Sequence, residues 1–451
     1  MRSLYPAIGL ASTVFSEIMH LKMARKSIRI SFMKDDKSGF WKSICADPDD
    51  DVPRLVFADY LDEQGQPERA ELIRAQCDLE ILPWSDPQRL DLEMTSRRLL
   101  QEHQAEWNHE LPKWISQKNV QFRRGFPYAI STDFNIPTSH AQVLGHQSVV
   151  QSIRYEGNFQ RVDRAMLETS GLLPRLRTIH LVHETFEGVQ WHVQNLPDMR
   201  ELNLSFSEIK RTGHSDSVSA IAWSPALSGL TRFGVLSYGG GGIHATLEFC
   251  ERLAERDLPE LRSLSMLLSP ETTDRESPLL NSSFARQIEE LELFDSVSLS
   301  ELQTVGSLTQ LQSLALCLAS DSEQSEAISE LASLTGLARL SIQELHDQGI
   351  ARLQASPLLD HLIDLEIRGD LFGYSPELSC SAILRLIESG ALSNLVRLSI
   401  TGRTTGQIIE EIAKTKQLPK LRHLIFPRGT QTKRDLETIV QSAGFPNLRT
   451  L

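Results

Sequence analysis

The chain has 451 residues, 40% of them hydrophobic and 6% aromatic, and a formal net charge of -13. That length suits two or three domains, or one domain plus a long array. The acidic balance argues against nucleic acid and anionic membrane as general partners, and no run of the roughly 18 apolar residues that a spanning helix needs occurs anywhere.

Residues 1–32 carry Arg2, Lys22, Arg25, Lys26 and Arg29 against one acid, Glu17, which interrupts the apolar stretch a signal peptide would need. Met33-Lys34-Asp35-Asp36 reads like a natural start. The segment 1–32 is therefore expected to be an extension from a mis-called start, adding nothing to folding. Residues 33–82 turn helical. Trp41-Lys42-Ser43-Ile44 makes a short amphipathic turn. Asp47-Pro48-Asp49-Asp50-Asp51 is a loop suited to capping the next helix, with Pro53 in its first turn. Leu55, Val56, Ala58, Tyr60 and Leu61 are expected to form that helix's apolar face. Gly65 and Pro67 stop it and open another, continued by Leu72, Ile73, Gln76 and Leu79.

The stretches Ala46-Asp47-Pro48-Asp49-Asp50-Asp51, Pro53-Arg54-Leu55-Val56-Phe57-Ala58-Asp59-Tyr60-Leu61-Asp62-Glu63, Gly65, and Arg69-Ala70-Glu71-Leu72-Ile73-Arg74-Ala75-Gln76 resemble the bacterial repeat-companion domain. That family is a short helical module, abundant in planctomycete-type bacteria, which precedes leucine-rich or other repeats. The family usually has Trp where Tyr60 stands and Phe where Leu72 stands. The resemblance covers about 45 residues and implies a bacterial N-terminal cap with no known activity. Residues 83–119 are expected to bridge this module to the rest of the chain, on a charged helix from Leu90 to Trp114. Val120 to Ile130 is expected to be a first capping strand.

From residue 120 to 451 one phrase recurs. Leu258-Pro259-Glu260-Leu261-Arg262-Ser263-Leu264-Ser265-Met266 is matched from Leu173, Leu196, Leu308, Leu334, Leu392 and Leu418, and more weakly around Ile153, Phe233, Leu291 and Leu365. Its middle apolar residues are spaced 23 to 33 residues apart. That period, with L-x-x-L-x-L at its heart, resembles a leucine-rich repeat. The last two apolar positions alternate with polar ones, as in a half-buried strand. One such strand cannot bury its own face, and stacking in parallel builds a continuous core. Segments such as Leu247–Ala254 and Ile383–Ile387 have helical spacing and supply the crossovers. The expected fold is α/β: a leucine-rich repeat solenoid with parallel concave strands and convex helices, preceded by a small all-α module. No Asn follows each strand, so the longer helix-backed form of the repeat fits better. Longer steps place loops at Arg211 to Ser219, Gly239 to Gly242 and Phe372 to Ser379. The chain reaches Leu451 inside a strand phrase, which raises the expectation of weak end-to-end self-association.

Signatures of chemistry are lacking. The five cysteines, Cys45, Cys77, Cys250, Cys317 and Cys380, include no C-x-x-C pair and read as free buried thiols in a reducing compartment, hence a cytoplasmic protein. The acids at 47 and 49–51 lack the Gly and distant Glu of a calcium loop. His180 and His183 point to opposite faces of a strand. Gly239–Gly242 lacks the Lys-Ser/Thr of a nucleotide loop. No catalytic residue, cofactor site or metal site is assigned. The candidate site is the concave face, where His180, Glu201, Asn203, Leu236, Leu267, Phe294, Arg339, Glu366, Arg368 and Arg397 are expected to project. Isolated Leu and Phe among small residues, rimmed by charge, suit a protein partner. The expected function is a non-enzymatic interaction scaffold. A substrate-recognition adaptor of a ubiquitin-ligase-like or other regulated assembly, and an enzyme with an unrecognised site, are the alternatives.

Overall fold

The computed structural model describes residues 37–108, 111, 115, 120–132, 148–156, 161–182, 186–196, 198–206, 215–237, 243–267, 277–318, 328–368, 379–401, 411–426, 433–442 and 444–450. The 1–32 segment, His183, Gly239–Gly242 and Leu451 lie outside that set, as does most of 372–379. The chain divides into two compact units, with the boundary between Pro53 and Arg54. Before the boundary, helix α1 (Lys37–Ala46) is longer than the single expected turn. The acidic loop caps as expected: Asp50 Oδ1 accepts from the Val52 N–H at 2.9 Å, where helix α2 (Val52–Glu63) begins.

The second unit starts with the rest of α2, then α3 (Pro67–Ile81) and α4 (Pro87–Trp107). The buried stripe of α2 is Arg54, Phe57, Ala58 and Leu61. Val56, expected inside, is 38% exposed. The i, i+3, i+4, i+7 spacing explains the stripe; it passes through an arginine that apolar patterning discounts. Arg69 is only 3% exposed. Its guanidinium carbon lies 4.8 Å from the Trp107 ring centroid and 5.3 Å from those of Phe122 and Phe126, and cation–π attraction to three aromatic rings offsets part of the cost of burying the charge. Arg74 ties α3 to α2 through Asp59 at 2.7 Å and Asp62 at 2.6 Å.

Residues 120–132 form a hairpin, where the sequence suggested one strand. Strands β1 (Gln121–Arg123) and β2 (Phe126–Thr132) pair antiparallel. The two-residue turn has Arg124 at φ 52° and Gly125 at φ 81°, the positive angles such a turn requires. Gln76 anchors it: its Oε1 accepts from the Gly125 N–H at 2.7 Å and its Nε2 donates to Ser96 at 2.9 Å.

The sheet then runs in chain order through β3 (Ser152–Glu156), β4 (Thr178–Val182), β5 (Glu201–Phe206), β6 (Arg232–Ser237), β7 (Ser263–Leu267), β8 (Glu290–Ser296), β9 (Ser313–Cys317), β10 (Arg339–Gln343), β11 (Asp364–Arg368), β12 (Arg397–Thr401) and β13 (His423–Ile425). Its 13 strands follow sequence order, parallel from β2 onward. Ile130, Ile153, Ile179, Leu202, Phe233, Leu264, Leu291, Leu314, Leu340, Leu365, Leu398 and Leu424 stand side by side in one register. All are buried within one continuous core. This is a leucine-rich repeat solenoid.

The front half of each phrase is a turn. Leu173–Arg175 is one turn of 3-10 helix with Pro in its first turn, and it delivers the chain into β4. At the strand entry one carbonyl takes two successive N–H groups of the next repeat. Thr231 O accepts from Arg262 N at 2.9 Å and Ser263 N at 3.1 Å, and Val396 O accepts from Arg422 N and His423 N. This ladder satisfies backbone groups that need partners once buried, without an asparagine.

Behind the strands the crossovers mix two helix types. Arg161–Ser170, Phe186–Asn195, Ile243–Ala254, Asp347–Gln354 and Cys380–Glu388 are α-helices. Ser283–Gln287 and Ile328–Ser333 are 3-10 turns. Cys45, Cys77, Cys250 and Cys317 are buried, as expected, whereas Cys380 is half-buried. No helix among the described residues is long and apolar enough to cross a membrane.

Candidate functional site

With positions two and four of each five-residue strand turned to the core, positions one, three and five line the opposite face in three cross-strand rows. The first row includes Thr178, Glu201, Arg232, Glu290, Arg339, Asp364, Arg397 and His423. The second includes His180, Asn203, Gly234, Ser265, Glu292, Ala315, Ser341 and Glu366. Leu236, Leu267, Gln343 and Arg368 belong to the third. Phe294, the fifth residue of β8, projects by the same alternation, within the stretch where the register with β9 shifts between Leu293 and Ser296.

The chain itself occupies much of the first row. Helix α4 starts at Pro87, with the Asp86 side chain accepting from the Gln88 N–H at 2.8 Å. Its first turns present Asp91 and Glu93 to the sheet. Glu93 meets Arg339 at 2.9 Å and Arg397 at 3.1 Å. Asp91 meets Arg422 at 2.6 Å, His423 at 3.0 Å and Arg449 at 3.0 Å. Trp84 lies between two guanidinium groups, 4.4 Å from Arg89 and 4.6 Å from Arg339. Toward the other end of the sheet, Arg123 joins Glu80 at 2.8 Å to Glu201 at 3.2 Å. The segment from Glu80 to Glu93 is therefore a charged strap along the strand entries.

The strap sets the local electrostatics. Burial works to raise Glu80, but the hydrogen bond and charge of Arg123, with Arg124, outweigh it and hold its pKa below the usual value. His423 lies below its ordinary value, because burial and the charges of Arg397 and Arg422 outweigh Asp91.

Rows two and three carry the rest. Leu236 and Leu267 are half-buried on adjacent strands, and Phe294 is 46% exposed beside them. A concavity of about 240 Å³ follows on β8–β11, with Trp84, Glu292, Phe294, Ala315, Glu366 and Arg368 among its lining. Burial, then neighbouring Glu290, pushes Glu292 above the usual carboxylate range against the Ser265 hydroxyl. Burial also works to raise Glu366, but Arg368 at 2.9 Å and the Ser341 hydroxyl bring it below that range. His180 is lowered, chiefly by burial. Asn203 leans into the space that Gly234 leaves open, where a Cβ would overlap its Oδ1.

The ten candidate residues thus separate. Arg339 and Arg397 face Glu93, and Glu201 faces Arg123; Leu236, Leu267, Phe294, Glu366 and Arg368 gather around the apolar ridge and the concavity. His180 and Asn203 stand on β4 and β5. Sequence reading missed Trp84, Asp91, Glu93 and Glu292. The sequence reading started this helix at Leu90 rather than Pro87, although Asp before Pro is a helix-start signal, and nothing local connects Glu93 to Arg397, 304 positions away. Among the described residues no group of three His, Cys, Asp or Glu side chains is placed to hold a metal ion.

No protein-family model matches the chain, and no curated protein matches it. Among solved structures, the chain is similar to the leucine-rich repeat-containing protein LegL7 of Legionella pneumophila, at 14% identity over 71% of this chain and 100% of that one, with a TM-score of 0.40. It is similar to TLR13 in a TLR13–ssRNA13 complex at 14% identity, over 67% of this chain but only 45% of that chain, with a TM-score of 0.32. A leucine-rich repeat protein of Leptospira interrogans matches at 14% identity over 63% of this chain and 87% of that one, with a TM-score of 0.24. At these TM-scores the likenesses carry no argument about function. The repeat class rests on the chain's own sheet and register.

Proposed function

We propose that this protein is a bacterial, cytoplasmic interaction scaffold that binds a protein partner on rows two and three of its sheet, with no reaction of its own. The observation that carries this reading is the ridge Leu236–Leu267–Phe294. Three apolar side chains on neighbouring strands stand next to charge, on a face fixed by the core behind it. Such a preformed patch suits a partner's apolar anchor surrounded by polar contacts. Arg339 and Arg397, already engaged by Glu93, serve the strap in this reading. The N-terminal helices act as a repeat-companion-type module, with Arg69, Arg74 and Gln76 holding hairpin and helices together so that α4 can lie along the strand entries.

The test is a quantitative pull-down with wild type and with Leu267→Glu/Phe294→Ser. The reading expects one stoichiometric protein with wild type, lost from the double variant while its melting temperature is unchanged. Equal recovery by both proteins would refute it.

A further inference from the structure

Around the concavity on β8–β11, charges come in pairs with one exception. Glu290 faces Arg232 at 3.4 Å, Glu366 faces Arg368 at 2.9 Å, Arg397 bridges Asp364, and Arg339 meets Glu93 at 2.9 Å. Glu292 has no ion-pair partner among the described residues. It accepts a hydrogen bond from Ser265 at 3.2 Å. The surroundings are therefore not a general acidic patch, but a balanced network with one carboxylate left over. Phe294 stands two residues further along the same strand, and Trp84 lines the same space. Ser313, Ala315 and Ser341 leave the floor low.

Size narrows the occupant. The space of about 240 Å³ falls below the roughly 300–1,000 Å³ of ordinary small-molecule pockets. It has room for one long side chain. The Leu236–Leu267 ridge continues away from it across β7 and β6, as a track for the neighbouring residues of a polypeptide. Arg339, Arg368 and Arg397 also line the space, but each is already engaged by a carboxylate, so an entering anion would meet no unmatched cation and would face Glu292. A cationic group would find the unmatched carboxylate and an exposed aromatic face, the combination that favours an ammonium or guanidinium on an aliphatic stem.

We propose that this concavity is the anchor pocket for a lysine or arginine side chain of the protein partner, with Glu292 holding the cation and Phe294 packing on the stem. This rests on the proposed protein-binding face and specifies its partner's chemistry. Burial and Glu290 already disfavour the Glu292 anion in the free chain, so an arriving cation relieves an existing cost.

The test pans the full chain against a random-peptide library and measures the selected peptides, resynthesised with a fluorophore, by anisotropy. The expected peptides carry a Lys or Arg beside an apolar residue. Changing that residue to Ala in the peptide, or Glu292→Gln in the protein, weakens binding about tenfold, and the two changes together cost no more than either alone. Glu260→Gln, exposed outside the pocket, leaves binding unchanged. Glu292→Lys prefers peptides with Glu at the anchor position. Peptides that lose affinity on Phe294→Ala but need no basic residue, or that ignore Glu292→Gln, would overturn the cation pocket and leave the docking face standing. Peptides indifferent to Phe294→Ala and Leu267→Ala alike, or no enrichment on the wild-type chain, would overturn both. Unchanged melting temperatures for Glu292→Gln and Phe294→Ala show that these variants remain folded.

Discussion

Leu264 and Ser265 are chain neighbours on opposite faces of β7. Leu264 has no exposed surface, whereas Ser265 is half-buried and donates to Glu292. Leu264→Asp places an unpaired charge in the core and should cost about 4 kcal/mol or more. Ser265→Asp adds only repulsion toward Glu292 and should cost about 1 kcal/mol. Urea unfolding of the two variants checks this, and equal losses would mean the strand register is wrong. His192 gives a second residue-scale prediction. It is fully buried on helix Phe186–Asn195, its Nδ1 2.8 Å from the Gly188 carbonyl. Burial lowers its pKa to about 4 from the ordinary 6.5. Between those values the unfolded chain takes up a proton that the folded chain refuses, so stability is intact above pH 6.5 and falls as pH drops toward 4. At about 1.4 kcal/mol per pH decade the loss reaches about 3 kcal/mol. His192→Leu should flatten that part of the stability–pH curve. A variant as acid-sensitive as wild type would show that other groups govern the acid limb.

At the scale of elements, the repeats were legible because each carries its own evidence. All four apolar residues of the phrase at Leu258, Leu261, Leu264 and Met266 are buried, and period two fixes which face they take. The hairpin was not legible as a hairpin: Arg123-Arg124-Gly125-Phe126 has one glycine, and the first positive φ falls on an arginine. The α2 stripe was misread for a related reason, since Arg54 is buried beside an aromatic ring, 5.7 Å from the Phe126 centroid. Two glycines separate backbone strain from packing. Gly65 has φ 74° and open space around an added Cβ, while at Gly125, with φ 81°, a Cβ would overlap Ile73 of α3. Gly65→Ala should cost about 1 kcal/mol, the penalty for an L-residue in that conformation. Gly125→Ala should cost at least about 3 kcal/mol, because overlap adds to the conformational penalty. Thermal unfolding of the pair gives the difference, and equal shifts would mean that the hairpin turn does not press on α3.

On the scale of the whole array, the candidate face was legible as a surface and not as a site. Alternation told which residues leave the core, but not that a strap from the N-terminal helices meets them, because that pairing spans hundreds of positions and has no local signature. Two carboxylates of the strap, Asp91 and Glu93, are unequal. Asp91 reaches Arg449 and Arg422, whose side chains are 59% and 30% exposed, and His423, which can be neutral. The two arginine pairs, exposed on the arginine side, are worth about 0–1 kcal/mol each and weaken with salt, while His423, though its side chain is 2% exposed, needs no counter-charge when neutral. Glu93 reaches Arg397, which keeps Asp364, and Arg339, whose side chain is 9% exposed and whose Nε and Nη2 have no hydrogen-bond partner. Removing Glu93 leaves a nearly buried guanidinium without a counter-charge, a loss of about 3–5 kcal/mol where no other group compensates. Glu93→Gln should therefore destabilise more than Asp91→Asn, and added salt should narrow the gap between wild type and Asp91→Asn more than that between wild type and Glu93→Gln. Hydrogen exchange locates the effect. Glu93→Gln should speed exchange in residues 84–93 and at the entries of β10 and β12, leaving β3 to β5 at the wild-type rate. If both substitutions leave exchange in residues 84–93 unchanged, the ion pairs of Asp91 and Glu93 do not hold the strap in place, and the Trp84–Arg339 contact and the Glu80–Arg123–Glu201 link must do so.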